Sequence, residues 1–599
     1  MNTTWYGNQA DAAVEGCNIG ALAVICPLIA RMKVKEIINQ HLPADPQAEY
    51  DFGTILSVFI AARLYSPVAL VNVGRWAAEA GADILWNIPS EKLNDDRLGK
   101  AIDAFFRQRH SILASFALHV SQELDIPLRD IHYDPTHILF HGAYEESETR
   151  NTLPTDETIP SNEQLPPAHI TKGRRMEDAA HGGRMVHVGL CTHVDEHGPL
   201  PIYGHTVSGN QNGHSAVAEQ FALLKKHLKP PELTMISDRG TYSIVHLVRL
   251  RNEGYAALCS APWGDFRPLY DEHRDTLIWN DASYLSMEQE RRRKQGSLPQ
   301  EHYELAVVRH KLTDPDTQKE FAVRVIFVFS TADEKVSRQQ RTRQIAKIQA
   351  ELQKVQQSVA AGNRNTDPAS ITSRVERRIF GSKQSAKYFS YEMIALTAKE
   401  QAALPQQGRG CKRPTHRFRF TFDEALQRQD ERYDGLNALV TTTMERSTDQ
   451  LFSTFKQQSY AEHANHIFKG PLAVRPVFLK NAHRVEALVF LMMMSLTLYF
   501  VLQRTYRATA EEDAATKERR TTTRTILSEF AIYILLITRS GNSRVVQPLQ
   551  PTPVQRALLR RLGLSTPAQI LSARLPRRVQ SSHSGKKRRR MGILSAREV

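Results

Sequence analysis

The spacing of apolar and polar positions changes character along the chain. Up to about residue 125, apolar residues recur every three or four positions, as in IGALAVICPLIARMKVKEIINQHL, and this predicts helices. From residue 128 the pattern alternates between strands and helices, which predicts an α/β core with a mixed sheet. Residues 262–430 interrupt this core with strand-like pieces and a long polar helix, 335–360, whose apolar seam is Ile345, Ile348, Leu352, Val355 and Val359.

These changes divide the chain into five predicted regions. They are a helical N-terminal domain with possible DNA binding (1–127), the first part of an α/β core (128–261), an inserted subdomain (262–430), the second part of the core (431–510) and a basic, partly helical C-terminal region (511–599).

The longest apolar run, Ala487–Leu502, is shorter than the roughly 20 residues that a membrane-spanning helix needs. Its flanks are charged, so we predict a buried core helix and no membrane association. The first residues lack the basic-then-apolar order of a signal peptide. The five cysteines form no CxxC pair, which argues against a zinc knuckle and a disulfide framework and suits a reducing compartment.

Positive charge is concentrated at the C-terminus. The whole chain carries +14, whereas residues 1–130 hold 11 Lys and Arg against 15 Asp and Glu, and residues 511–599 hold 18 against 6. Such a local excess favours a polyanion such as nucleic acid, and the alternative is a solvated tail without a partner. The basic run comprises Lys586, Lys587, Arg588, Arg589 and Arg590.

Two aspartates stand where the core pattern predicts strands. Asp134 lies within HYDPTHILF, and Asp238 ends the buried strand ELTMISD. A carboxylate in an apolar strand is costly unless it is paired or binds a metal, and ligands collect at the carboxyl ends of strands in open α/β sheets. Oxygen ligands suit Mg²⁺ or Mn²⁺ better than zinc. Each aspartate alone is equally compatible with a turn or capping role.

The segment FKQQSYAEHANHIFKG resembles the catalytic helix of insertion-sequence DDE transposases of the IS-four-like superfamily. That signature is Tyr, two residues, Arg, three residues, Glu, six residues, Lys, and the same spacing here gives Phe455, Gln458, Glu462 and Lys469. SDRGTYS, YDGLNALVTT, RPVFLK and SGNQNGHSAVAEQF are similar to other parts of the same group, and the resemblance runs from residue 12 to about 565.

The resemblance implies an RNase H-like catalytic core with a large insertion between the second Asp and the Glu. It implies Asp134, Asp238 and Glu462 as catalytic residues that bind two Mg²⁺ or Mn²⁺ ions. The implied function is transposition: metal-dependent DNA cleavage and strand transfer on terminal inverted repeats and target DNA, by a homodimer associated with the bacterial nucleoid in the cytoplasm. DNA contacts are expected at Gln458, Lys469, Arg475 and the basic run at 586–590.

The chain departs from the signature at Phe455 and Gln458, which replace Tyr and Arg, and Gln458 belongs to a Gln-Gln pair typical of one subgroup. Two alternatives therefore stay open: an RNase H-like nuclease without strand transfer, and an inactive DNA-binding derivative. A zinc hydrolase is a third possibility, because Glu462 and His466 are one helical turn apart, but no His-Glu-x-x-His string is present.

Overall fold

The protein is described from a computed structural model. The structure describes residues 3–6, 12–43, 46–140, 144, 149, 165–172, 184–210, 217–230, 232–286, 289, 293, 296, 301–362, 367–381, 383–404, 413–472, 479–509, 521–540 and 543–574.

Strands and helices alternate through most of the described chain. The strands are β1 (Thr3–Tyr6), β2 (Ala12–Asn18), β3 (Asp130–Phe140), β4 (Thr171–Lys172), β5 (Arg184–Asp195), β6 (Gly198–Ser208), β7 (Thr234–Ser237), β8 (Ala256–Ala261), β9 (Asn280–Asp281), β10 (Tyr303–Thr313), β11 (Glu320–Ser330), β12 (Phe389–Ala395), β13 (His416–Phe422), β14 (Leu436–Thr441), β15 (Ile534–Ser540) and β16 (Ser543–Pro548).

The helices are α1 (Leu22–Arg31), α2 (Val34–His41), α3 (Phe52–Tyr65), α4 (Val73–Ala80), α5 (Ala82–Trp86), α6 (Asp95–Glu123), α7 (Val217–Leu228), α8 (Ile244–Asn252), α9 (Trp263–His273), α10 (Thr331–Ala360), α11 (Pro368–Arg374), α12 (Ala398–Ala403), α13 (Glu424–Glu431), α14 (Thr448–Lys456), α15 (Gln458–Lys469), α16 (Ala482–Ala508), α17 (Thr523–Ser528), α18 (Pro553–Arg561) and α19 (Pro567–Arg574). A π-helix, Val375–Phe380, follows α11 directly.

The chain divides into two compact units. The first comprises Met1–Gln108, Leu472–Arg475 and Thr497–Val599, and the second comprises Arg109–Pro471 and Pro476–Leu496. The first unit therefore combines segments from the two regions that the sequence pattern predicts as separate N-terminal and C-terminal domains.

The first unit differs from the predicted all-helical domain and helical tail. It contains an antiparallel sheet in the order β1-β2-β15-β16, in which Cys17 of β2 pairs with Leu535 of β15. The prediction was wrong here because each pair of strands is too short to form a stable sheet alone. Pairing across more than 500 residues leaves no local signal in the spacing of apolar positions.

The second unit is built on a mixed sheet in the order β4-β5-β3-β7-β8-β14-β11-β10-β9, with β6 paired to β5. Strands β6, β5 and β3 run antiparallel to their neighbours, whereas β3, β7 and β8 are parallel. Helix α7 precedes β7 and helix α8 precedes β8, which provides the crossovers that parallel strands require. This confirms the predicted α/β class with a mixed sheet.

The inserted region has two parts. Strands β10 and β11 extend the main sheet, because β11 pairs with β14 along Arg324–Phe329. The remainder packs α10, α11 and the β12-β13 hairpin around a core of its own. The predicted seam of α10 lies in this core, with Ile348, Leu352, Val355 and Val359 buried and Ile345 packed against it.

Helix α16 contains the longest apolar run of the sequence. Among the described residues it is the one single helix that is long and apolar enough to cross a membrane, and its apolar window is completely buried within the protein. The bent pair formed by 52–65 and 70–80 passes the same test only if it counts as one span, and its bend is 99°. The burial of α16 confirms the predicted core helix.

Candidate active site

Asp134 and Asp238 lie at the same level of two neighbouring parallel strands. Tyr133 of β3 is paired with Ser237 of β7, and each aspartate is the next residue along its strand direction. Asp238 lies just beyond the end of β7, where its carboxylate accepts a hydrogen bond from the backbone N–H of Gly240 at 3.1 Å. The register thus brings two acidic residues to adjacent positions, one partly buried and one exposed.

Glu462 comes from helix α15, which packs against β3, β5 and β6. The helix presents a polar stripe on one face, because Gln458, Glu462, Asn465 and Lys469 are spaced four, three and four residues apart. Ala461, Ala464 and Phe468 are buried beside this stripe, and their burial fixes the rotation of the helix.

Two hydrogen bonds from Asn465 attach this stripe to Asp134. The Asn465 Nδ2 donates to the carboxylate Oδ2 of Asp134 at 2.7 Å and to its backbone oxygen at 3.2 Å. The amide Oδ1 of Asn465 is buried without a hydrogen-bond partner. Asn465 therefore holds one carboxylate oxygen of Asp134 in place.

Gln458 fixes the start of the helix on the same strand. The ring Nδ1 of His132 donates to the Oε1 of Gln458 at 2.8 Å, and the Gln458 Nε2 donates to the backbone oxygen of Tyr133 at 3.4 Å. Burial lowers the pKa of His132 to about 4, although the hydrogen bond to Gln458 opposes this effect. At neutral pH the imidazole is therefore uncharged and acts as a neutral donor.

Asp134 is the electrostatic centre of the arrangement. Burial raises its pKa to about 6, and the hydrogen bond from Asn465 opposes this rise. The negative charges of Asp238 and Glu462 raise the pKa further, whereas the positive charge of Lys469 lowers it. Four residues from two distant segments of the chain, Asp238 and the helix α15, thus act on the carboxyl group of Asp134.

The negative charges of Asp134, Asp238 and Glu462 repel one another, and their carboxylate oxygens do not form a group whose atoms all lie within 4.8 Å. Within the described ranges, the group of three potential ligands whose atoms all lie within 4.8 Å is a different one, Asp281, His302 and Glu304. A divalent cation would relieve the repulsion among the acidic trio. Carboxylate oxygens are the hard donors that suit Mg²⁺ or Mn²⁺.

Of the residues singled out from the sequence, Asp238, Glu462 and Lys469 are near enough to Asp134 for their charges to act on its pKa. The expectation that Gln458 contacts DNA needs correction, because its side chain is 7% exposed and both of its polar atoms bond within the protein. Its side chain attaches α15 to β3 instead. Arg475 and the basic run at 586–590 lie outside the described residues.

The proposed zinc alternative finds no matching geometry in the described part of the chain. His466 is exposed, and neither it nor Glu462 belongs to a close group of three ligands.

The sequence pattern alone missed the contributions of Asn465 and His132. The signal for Asn465 was present, since it shares the helical stripe with Gln458, Glu462 and Lys469. The signal for His132 was weaker. It lies two residues before Asp134 and therefore projects to the same face of the strand, but its partner is more than 300 residues away.

Comparison with known families gives one match. Residues 14–117 match the model of a domain of unknown function (DUF4277). The matched segment covers helices α1 to α5 and most of α6, and it ends before the acidic trio. None of the curated proteins compared with the chain matches it.

Proposed function

We propose that this protein is a DDE-type transposase that cleaves DNA and transfers its strands with the help of divalent metal ions. The observation that carries the proposal is that Asp134 and Asp238 follow paired residues of neighbouring parallel strands, and that the charges of Asp238, Glu462 and Lys469 all act on the pKa of Asp134. Uncompensated acidic groups at the carboxyl end of parallel strands are typical of a site that binds a cation and a charged substrate.

The sheet topology supports an RNase H-like core. Three antiparallel strands, β6, β5 and β3, are followed by β7 and β8, which run parallel to β3, and the two aspartates belong to β3 and to the end of β7. The insertion separates β8 from the part of the chain that carries Glu462, as the resemblance to DDE transposases implies. The resemblance to DDE transposases therefore includes the order of strands and helices as well as short sequence motifs.

Each residue has a distinct role in this proposal. Asp134, Asp238 and Glu462 would hold two Mg²⁺ or Mn²⁺ ions, which when bound supply charge neutralisation and activation of a water or a DNA 3′-hydroxyl. Asn465 orients the carboxylate of Asp134 by its hydrogen bond at 2.7 Å. Lys469, whose charge acts on the same carboxylate, would neutralise a phosphate of the DNA.

The wider functional context follows from the same proposal. The partner is double-stranded DNA, comprising the terminal inverted repeats of an insertion element and a target. The active form would be a homodimer on DNA, in the cytoplasm of a bacterial cell.

A cleavage assay on DNA that carries the sequences flanking the gene tests the proposal. With Mg²⁺ we expect strand cleavage followed by joining, and Asp238→Asn should abolish both while DNA binding stays nearly unchanged. Asp316→Asn, which alters an exposed aspartate outside the site, is the matched control. Cleavage without joining would indicate a nuclease, and binding without cleavage an inactive derivative. A fully active Asp238→Asn protein would contradict the assignment.

A further inference from the structure

Positive charge is also concentrated in the folded part of the insertion. Residues 331–430 hold 19 Lys and Arg against 10 Asp and Glu, a balance of +9 in a chain whose total is +14. The described part of this segment packs around its own apolar core. The cations that the structure describes there therefore lie on the surface of a folded unit.

Two cations of α10, Arg338 and Arg341, bond to acidic residues of the same unit. Arg338 pairs with Glu334 at 2.7 Å. Arg341 donates to both carboxylate oxygens of Asp434, one of them at 2.7 Å. Asp434 lies just before β14. These bonds attach the inserted helix to the main sheet, so both guanidinium groups have structural partners.

Three other cations of the same helix have different surroundings. Arg343, Lys347 and Lys354 project within about 40° of one another around the helix, on its solvent side. Arg343 and Lys347 are exposed and make no ion pair with any residue that the structure describes. Lys354 bonds to Glu351 of the preceding turn at 2.9 Å.

A second row of cations lies on α11 and the π-helix that follows it. Arg374, Arg377 and Arg378 are exposed, and no ion pair to them occurs within the described ranges. The two rows are carried by elements that pack together, because Val375 and Ile379 of the π-helix lie in the same buried core as Ile348 and Leu352 of α10. We call these six side chains, Arg343, Lys347, Lys354, Arg374, Arg377 and Arg378, the cationic patch.

We propose that the cationic patch binds the sugar-phosphate backbone of duplex DNA without reading its sequence. The proposal rests on the proposed function, which makes DNA the substrate. The row on α10 extends over 11 residues, or about 16 Å, which is the axial length of roughly five phosphates of one strand. Contacts of lysine and arginine side chains with phosphates position a protein on the duplex but carry no sequence information.

The test compares two triple variants of the full chain. In the patch variant, Arg343→Gln, Lys347→Gln and Arg377→Gln remove three unpaired cations. In the control variant, Arg274→Gln, Lys311→Gln and Arg428→Gln remove three exposed cations that pair with Asp275, Glu320 and Glu424. Both variants lose the same net charge, and circular dichroism checks that both are folded.

The probe is a fluorescein-labelled duplex of about 40 base pairs and random sequence, titrated in EDTA at salt concentrations between about 50 and 200 mM. The patch variant should show a salt slope lowered by up to about 2.7, since each lost phosphate contact removes about 0.9, and an affinity at least about tenfold lower. The control variant should keep a slope close to that of the wild type.

Other outcomes separate the two proposals. Equal slopes for the patch and control variants would overturn the patch as a DNA-binding surface, and Mg²⁺-dependent cleavage by the same protein would leave the proposed function intact. A wild-type protein that binds no duplex would contradict both. If polyglutamate competes for the patch as strongly as the duplex does, the partner is an acidic protein and the DNA assignment is wrong.

Discussion

Two carboxylates in the second unit are buried in different ways. Glu486 of α16 is 1% exposed, and its oxygens accept hydrogen bonds from the Nε of Arg109 at 2.8 Å and from the backbone N–H of Ala168 at 2.6 Å. Asp134 is bonded to the neutral amide of Asn465, and two further acidic residues raise its pKa. One charge is balanced by the protein, and the other is left in excess.

The difference separates a structural carboxylate from a functional one. A buried ion pair such as Arg109–Glu486 forms a closed unit that requires nothing from outside the protein. The acidic trio around Asp134 is complete only when a cation joins it. The fold thus retains an electrostatic cost at Asp134, and that cost is the reason to expect metal binding there.

The largest effect is expected from breaking the closed pair. Glu486→Gln leaves the buried guanidinium of Arg109 without its counter-charge and should destabilise the protein by about 3–5 kcal/mol. Urea unfolding measures the loss. The double variant Arg109→Met with Glu486→Leu should recover most of it, because neither charge remains. A Glu486→Gln protein as stable as the wild type would show that the buried guanidinium of Arg109 does not depend on the charge of Glu486.

At Asp134 the same kind of change should have the opposite sign. The raised pKa, about 6, means that the stability from the neutral form is complete below about pH 4 and is lost as the pH rises through 6. Asp134→Asn keeps the neutral form, so at pH 7.5 without metal it should stabilise the protein by about 1–3 kcal/mol and have little effect at pH 4.

Thermal unfolding in EDTA across this pH range measures the difference, with Asp316→Asn as the exposed control. If Asp134→Asn instead destabilises the protein at pH 7.5, the result would contradict the proposed excess of negative charge around Asp134.

Asn465→Ala tests how the trio is oriented. Without the donor to Asp134, the affinity for Mn²⁺ measured by calorimetry should fall about 10–100-fold, since residues that orient metal ligands typically contribute this much. His466→Ala, which alters an exposed neighbour on the same helix, should leave the affinity unchanged. The reverse result would favour the Glu462–His466 pair as the metal site.

Lys469→Gln should have the smallest effect. Its charge lowers the pKa of Asp134, so its removal should raise that pKa slightly and shift the pH midpoint of metal-induced thermal stabilisation upward by less than about one unit. Lys480→Gln, an exposed lysine, is the control. An unchanged midpoint for Lys469→Gln would mean that Lys469 does not act on the site, and a downward shift would contradict the sign of its effect.

The sequence could predict those parts of the fold whose signal is local. Periodicity within single segments predicts the strand that contains Asp134 and the strand that ends just before Asp238. It also predicts the apolar seam of α10 and the burial of α16. The sheet that joins β2 to β15 could not be predicted in this way, since its pairing spans most of the chain.

For the site, residue type and spacing identified the acidic residues but not their surroundings. Asp134 and Glu486 both lie among apolar residues in the sequence, and only the fold shows that Glu486 meets a buried arginine while Asp134 meets two like charges. Gln458 illustrates the same limit, because its burial against His132 depends on how α15 lies on β3. Long-range partners decide the role of a charged or polar residue, and they leave no pattern in the sequence.

The most direct test of the central claim locates the metal on the polypeptide. Fe²⁺ in place of Mg²⁺, with ascorbate and peroxide, generates radicals that cut the backbone close to the bound ion, and no DNA substrate is required. We expect cuts near residues 134, 238 and 462, all lost in Asp238→Asn. Cuts confined to the neighbourhood of Asp281, His302 and Glu304 would contradict the assignment of the acidic trio.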